Sequence, residues 1–117
     1  QRFELIWRLL NRWSVIEQHL AEALSHSFSQ VTGMRTFSYK GPNALKIGEV
    51  PGVWARNLLA NRIYRCPVVF LEPYVANSQA IYPRVQKWIK DGEGDAFGLV
   101  SEYTEAVLLG LQNWAAE

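Results

Sequence analysis

Pro67-Val68-Val69-Phe70-Leu71-Glu72-Pro73 is the most sharply bounded apolar run in this chain. Its interior is β-branched, aromatic and aliphatic, and prolines bracket it. A short continuous run of this kind fits a β-strand buried on both faces. Pro67 is tolerated at a first strand position. Pro73 has no N–H to give to a ladder, so the strand is expected to end at Glu72. A carboxylate at the end of a buried strand is costly unless it is paired or used. The carboxyl ends of strands in α/β sheets are also where ligand sites form. Glu72 is therefore the first candidate for chemistry, as a general acid or base. Its structural alternative is a salt bridge to Arg56, Arg62, Arg65 or Arg84, or simple exposure past the strand.

Upstream of this run, Gly41-Pro42-Asn43, Gly48 and Pro51-Gly52 punctuate a loop-rich stretch. Ala44–Ile47 fits a short strand within it. Val53–Ile63 reads as a short helix, with Val53, Leu58, Leu59 and Ile63 available to a core. Cys66 opens the apolar run and is expected to be a buried, inert thiol. Nearer the N-terminus, Ile16, Leu20, Leu24, Ser27, Phe28 and Val31 share one helical stripe, with Ala23 beside it. Ser14 or Asn11 is a cap for that helix, and Gly33 stops it. Phe3-Glu4-Leu5-Ile6-Trp7 reads two ways. It alternates like a strand, while Leu9, Leu10 and Trp13 continue a helix backwards.

Downstream, residues 78–90 look helical, starting at Ser78 as a cap or at Pro83 in a first turn. Val85, Trp88 and Ile89 are expected to face inward. Asp91-Gly92-Glu93-Gly94-Asp95 is a polar connection. It lacks the ligand number and fixed spacing of a calcium loop. The tail is an amphipathic helix, with Val100, Tyr103, Val107, Leu111 and Trp114 on one side. Helix and strand alternate, so the expected fold class is α/β, with about three strands and flanking helices as part of a three-layer domain.

The chain has 117 residues, which is enough for one domain or part of one. Twelve basic residues balance eleven acidic ones, so no strong field points to nucleic acid or an anionic membrane. A single cysteine excludes an internal disulfide and a cysteine-rich zinc site. No stretch reaches the length of a membrane span, and no signal peptide is visible. His19, Glu22 and His26 recur at helical spacing, but they lie away from the apolar stripe and are expected to face solvent. There is no phosphate loop, dinucleotide fingerprint or nucleophile elbow. The tryptophans and tyrosines mostly sit at core spacings.

Asn61-Arg62-Ile63-Tyr64-Arg65-Cys66-Pro67-Val68-Val69-Phe70-Leu71-Glu72-Pro73-Tyr74-Val75-Ala76-Asn77-Ser78 resembles the C-terminal region of zinc-dependent N-acetylmuramoyl-L-alanine amidases. In that family a hydrophobic strand ends in a glutamate, and an aromatic residue and an asparagine follow. Phe3–Trp7 is similar to the strand after the family's last zinc histidine, which would make it a strand. Ser14–Thr32 resembles the next helix, Ala44–Ile47 the short strand ahead of the motif, and Glu102–Val107 the closing helix. Pro73 and Tyr74 follow Glu72 directly where the family usually carries a glycine. Asn77 stands one step nearer the glutamate than the family's asparagine.

The resemblance implies the C-terminal half of an amidase-like catalytic domain over residues 1–117. It implies hydrolysis of the amide between N-acetylmuramic acid and L-alanine of the peptidoglycan stem peptide. Glu72 would assist a zinc-bound water, and Asn77 would contact substrate. Zinc (Zn2+) is implied as cofactor, held in the family by two histidines and a glutamate. Neither His19 nor His26 matches a ligand position, so the ligands are expected outside this chain, in a missing N-terminal half that would act as its partner. Without that half the chain is expected to be inactive. The implied setting is the cell envelope or a phage. The alternatives are another zinc hydrolase, of carboxypeptidase type, and a non-enzymatic protein-interaction domain.

Overall fold

The computed structural model describes residues 2–75, 78–91 and 98–116. In chain order its elements are α1 (Arg2–Leu10), α2 (Trp13–Thr32), β1 (Leu45–Lys46), β2 (Trp54–Ala55), α3 (Ala60–Ile63), α4 (Tyr82–Asp91) and α5 (Leu99–Ala115). Among the described residues the only sheet is the β1–β2 pair, antiparallel, with Leu45 opposite Ala55 and Lys46 opposite Trp54. The expected α/β three-layer architecture is therefore wrong: the chain is mostly helical.

The correction turns on Pro67–Leu71. Among the described residues it forms no strand and pairs with none. A strand is stable only when its backbone groups find a ladder. Pro67 has no N–H to give, and the Val68 N–H donates to the Glu17 carboxylate at 2.7 Å. Phe70 is 59% exposed rather than buried. Pro67, Val68, Val69 and Leu71 are only half-buried, and Cys66 at the start of the run is exposed, not buried as expected.

The core is the crossing of α2 and α5. Ser27 and Ala106 are fully buried at its centre, with Ala23 and Leu24 close by. Small residues let the two backbones approach. A methyl group on Gly110 would lie 2.7 Å from Ser27 Oγ and 3.0 Å from Leu24 Cα. Phe28 of α2 and Tyr103 of α5 pack edge to face beside the crossing, their centroids 5.4 Å apart. Most of the expected α2 stripe is thus placed as read, although Ile16 is exposed. The expected α5 stripe is borne out in part: Tyr103, Val107 and Trp114 are half-buried, but the most buried residues are Leu99, Ala106 and Gly110, while Val100 and Leu111 are exposed.

Local chemistry sets the ends of α2. Arg12 precedes it in the left-handed region at φ 55, which turns the chain sharply out of α1. Neither Ser14 nor Asn11 caps α2. The Asn11 side chain instead donates to the Trp7 carbonyl at 2.8 Å and closes α1. Gly33 ends α2 at φ 63, as its position in the sequence predicts. α1 itself is helical, so the strand that the resemblance implies for Phe3–Trp7 is corrected. Its Arg8 faces inward, where it pairs with Glu17 of α2 and lies 5.4 Å from the Trp13 ring centroid. Its apolar side chains face out, with Phe3 81% and Leu10 74% exposed.

Ala44–Ile47 contains a strand, as expected, at Leu45–Lys46. The helix expected over Val53–Ile63 shrinks to Ala60–Ile63, because Trp54 and Ala55 are held in the ribbon. Gly48 and Gly52, at φ 61 and 89, supply the turn that brings the ribbon together. Ser78 and Pro83 both mark the start of α4. Ser78 Oγ accepts from the Ile81 N–H at 3.1 Å, and Pro83 sits in the first turn. Of the residues expected to face inward on α4, Val85 is half-buried, whereas Trp88 and Ile89 are exposed. No described helix is long and apolar enough to cross a membrane.

Candidate functional site

Three segments far apart in sequence converge on Glu72. Tyr39 comes from the extended link after α2, Arg56 from the residue after β2, and Glu72 from the end of the apolar run. They line an open groove of about 1540 Å³ together with Trp54 and Val68–Leu71. The Tyr39 hydroxyl donates to Glu72 Oε2 at 2.5 Å. Arg56 Nη1 donates to the Tyr39 hydroxyl oxygen at 3.2 Å. The same nitrogen lies 3.4 and 3.5 Å from the two carboxylate oxygens. One guanidinium thus bridges the phenol and the acid.

Aromatic packing fixes the phenol. Phe37 and Trp54 meet the Tyr39 ring edge to face at centroid distances of 5.3 and 5.4 Å. The Arg56 guanidinium carbon lies 5.0 Å from the same ring centroid. The hydrogen bond to Glu72 raises the pKa of Tyr39 above that of an ordinary phenol, with burial adding to it. Tyr39 therefore stays a donor at neutral pH. Glu72 keeps 48% of its side chain accessible and lines the groove. Trp54 Nε1 and Arg56 Nε are buried beside it with no hydrogen-bond partner among the described residues.

A second cluster anchors the chain beyond Pro73. The Tyr74 hydroxyl lies 3.4 Å from both the Leu99 carbonyl and Glu102 Oε1. Burial first, and then the Glu102 charge, push the Tyr74 pKa up to about 12. Arg84 of α4 binds both oxygens of the same Glu102 carboxylate. Tyr74 is thus tied to α5, which holds the segment next to Glu72 against the helical core.

The other sequence candidates do not join this site. Asn77 lies outside the described residues, as do Glu93 and Asp95 of the polar connection. His19 and His26 are exposed on α2, and Glu22 accepts from Gln18 Nε2 at 2.9 Å. Among the described residues no three or more His, Cys, Asp or Glu side chains come together as a metal site. These residues do not fit the zinc that the resemblance implies. Tyr39 is the site residue that the sequence reading missed. Phe37 and Tyr39, two aromatics on one side of an extended link, were its only signal. Arg56 was among four arginines named as alternative partners of Glu72.

Comparison with protein families, curated proteins and solved structures finds no match for this chain.

Proposed function

We propose that this chain supplies the proton-handling carboxylate of a peptidoglycan amide hydrolase of the N-acetylmuramoyl-L-alanine amidase type. The observation that carries the reading is the half-open state of Glu72. Tyr39 donates to one of its oxygens and Arg56 lies near both, while about half of the side chain stays accessible. The sequence motif around Glu72 supplies the substrate class. In the reaction, water adds to the lactyl carbonyl and the carbon–nitrogen bond to L-alanine breaks. Glu72 takes a proton from the water and gives it to the departing nitrogen, so the carboxylate is regenerated.

Zinc belongs to this reading as the cofactor of the family that the motif resembles. The described residues assemble no ligand set for it. The setting is the cell envelope or a phage, where the stem peptide is the binding partner.

Product analysis tests the reading. Muropeptides incubated with the intact protein are expected to yield stem peptides with a free L-alanine amino group. Release of single residues from the peptide's C-terminal end would instead identify a carboxypeptidase-type hydrolase. The Arg56–Glu72 contact favours a second reading, in which Glu72 is a structural tether in a protein-interaction domain. In that case no cleavage is expected.

A further inference from the structure

The contacts to Glu72 form a directed chain rather than a loose cluster. Arg56 Nη1 donates to the Tyr39 oxygen at 3.2 Å, and Tyr39 donates to Glu72 Oε2 at 2.5 Å. The Tyr39 ring is held in turn by Phe37, Trp54 and the Arg56 guanidinium. A carboxylate on an exposed loop otherwise samples several rotamers. Donors from Tyr39 and Arg56 narrow that choice, while 48% of the side chain stays accessible. Local sequence does not create this chain. Tyr39 and Glu72 are 33 residues apart, and Arg56 and Glu72 are 16.

We infer that Tyr39 and Arg56 are positioning residues for Glu72, fixing the orientation in which its carboxylate exchanges a proton with substrate. The inference rests on the proposed hydrolytic role of Glu72. Neither residue is assigned a bond-making step. Tyr39 keeps its proton throughout, and Arg56 acts through Tyr39 and through its charge. Their loss is expected to act on turnover and to leave substrate affinity in place.

The test uses the intact protein on soluble muropeptides. Tyr39→Phe keeps the aromatic packing and removes only the donor. It is expected to lower kcat roughly tenfold with KM unchanged. Arg56→Ala is expected to lower kcat similarly, and Arg56→Lys, which keeps the charge, to restore part of it. An optical readout stands apart from activity. The alkaline absorbance titration of Tyr39 is isolated as the difference between each protein and its Tyr39→Phe version. Its midpoint is expected to fall when Glu72→Gln removes the carboxylate charge that Tyr39 faces.

The outcomes separate cleanly. If the wild type cleaves and Glu72→Gln does not, but Tyr39→Phe keeps full kcat, the positioning role is overturned and the hydrolytic reading stands. An unchanged Tyr39 midpoint in Glu72→Gln overturns the contact on which the inference depends. If the wild type releases no product, the hydrolytic reading fails and the positioning role fails with it.

Discussion

The Ser27 hydroxyl reaches across the α2–α5 crossing to the Ala106 carbonyl, 2.7 Å away. It also lies 2.9 Å from the Leu24 carbonyl in its own helix. Ser27 is fully buried, so the hydroxyl sits where an unmade hydrogen bond is costly. Ser27→Ala removes the polar group and its bond together and is expected to cost about 1 kcal/mol. Gly110→Ala is expected to cost more, about 1–3 kcal/mol, because the new methyl meets Leu24 backbone as well as Ser27. The better helix propensity of alanine offsets only part of that, about 1 kcal/mol. Urea unfolding of the two variants measures both values. A Gly110→Ala protein as stable as the wild type would show that the helices do not cross this closely.

Glu17 joins the two ends of the chain's geometry. One of its oxygens accepts from Arg8 of α1 and from the backbone N–H of Val68. Glu17→Ala strands a poorly accessible guanidinium and an amide, at an expected cost of about 2–3 kcal/mol. Glu17→Gln keeps an acceptor for Val68 and is expected to lose about half as much. Hydrogen exchange at the Val68 amide is expected to speed up in Glu17→Ala and to stay slow in Glu17→Gln. Equal exchange in all three proteins would remove Glu17 as the tether of the apolar run.

Tyr74 gives a dependence on high pH. Its folded pKa is raised from the ordinary tyrosine value of 10.0 to about 12, chiefly by burial. The folded state therefore holds the phenol proton more tightly than the unfolded chain does. That contribution to stability is complete below the ordinary tyrosine range and is lost as pH rises through about 12. The wild type is expected to lose urea resistance as pH rises from 10.0 to about 12. Tyr74→Phe is expected to show a shallower decline, measured as the unfolding midpoint against pH. Parallel curves for the two proteins would contradict a role for Tyr74 in the alkaline decline.

The helical core was largely legible because its signals are local. Leu24, Ser27 and Phe28 recur at helical spacing, and Gly33 supplies the left-handed stop. The centre of the α5 face was missed because Ala106 and Gly110 add little to a hydrophobic stripe. Close approach favours small residues over large ones at such a crossing. Pro67–Leu71 was misread for another reason. An apolar β-branched run records what a strand needs from side chains, but a strand also needs a neighbour for its backbone. Glu17, 51 residues from Val68, takes one of the amides that such a neighbour would use. Glu72 stood out through its expected cost of burial, yet its side chain proves half open. The phenol that holds it was hidden by distance along the chain.

The central claim is that Glu72 handles the proton in amide hydrolysis, and Glu72→Gln in the intact protein tests it most directly. The exposed Arg56 pair contributes at most about 1 kcal/mol, so the variant is expected to fold with nearly wild-type stability. The rate at which it releases L-alanine amino termini from muropeptides is expected to fall by about a hundredfold or more. A folded Glu72→Gln protein that cleaves muropeptides at the wild-type rate would contradict the account.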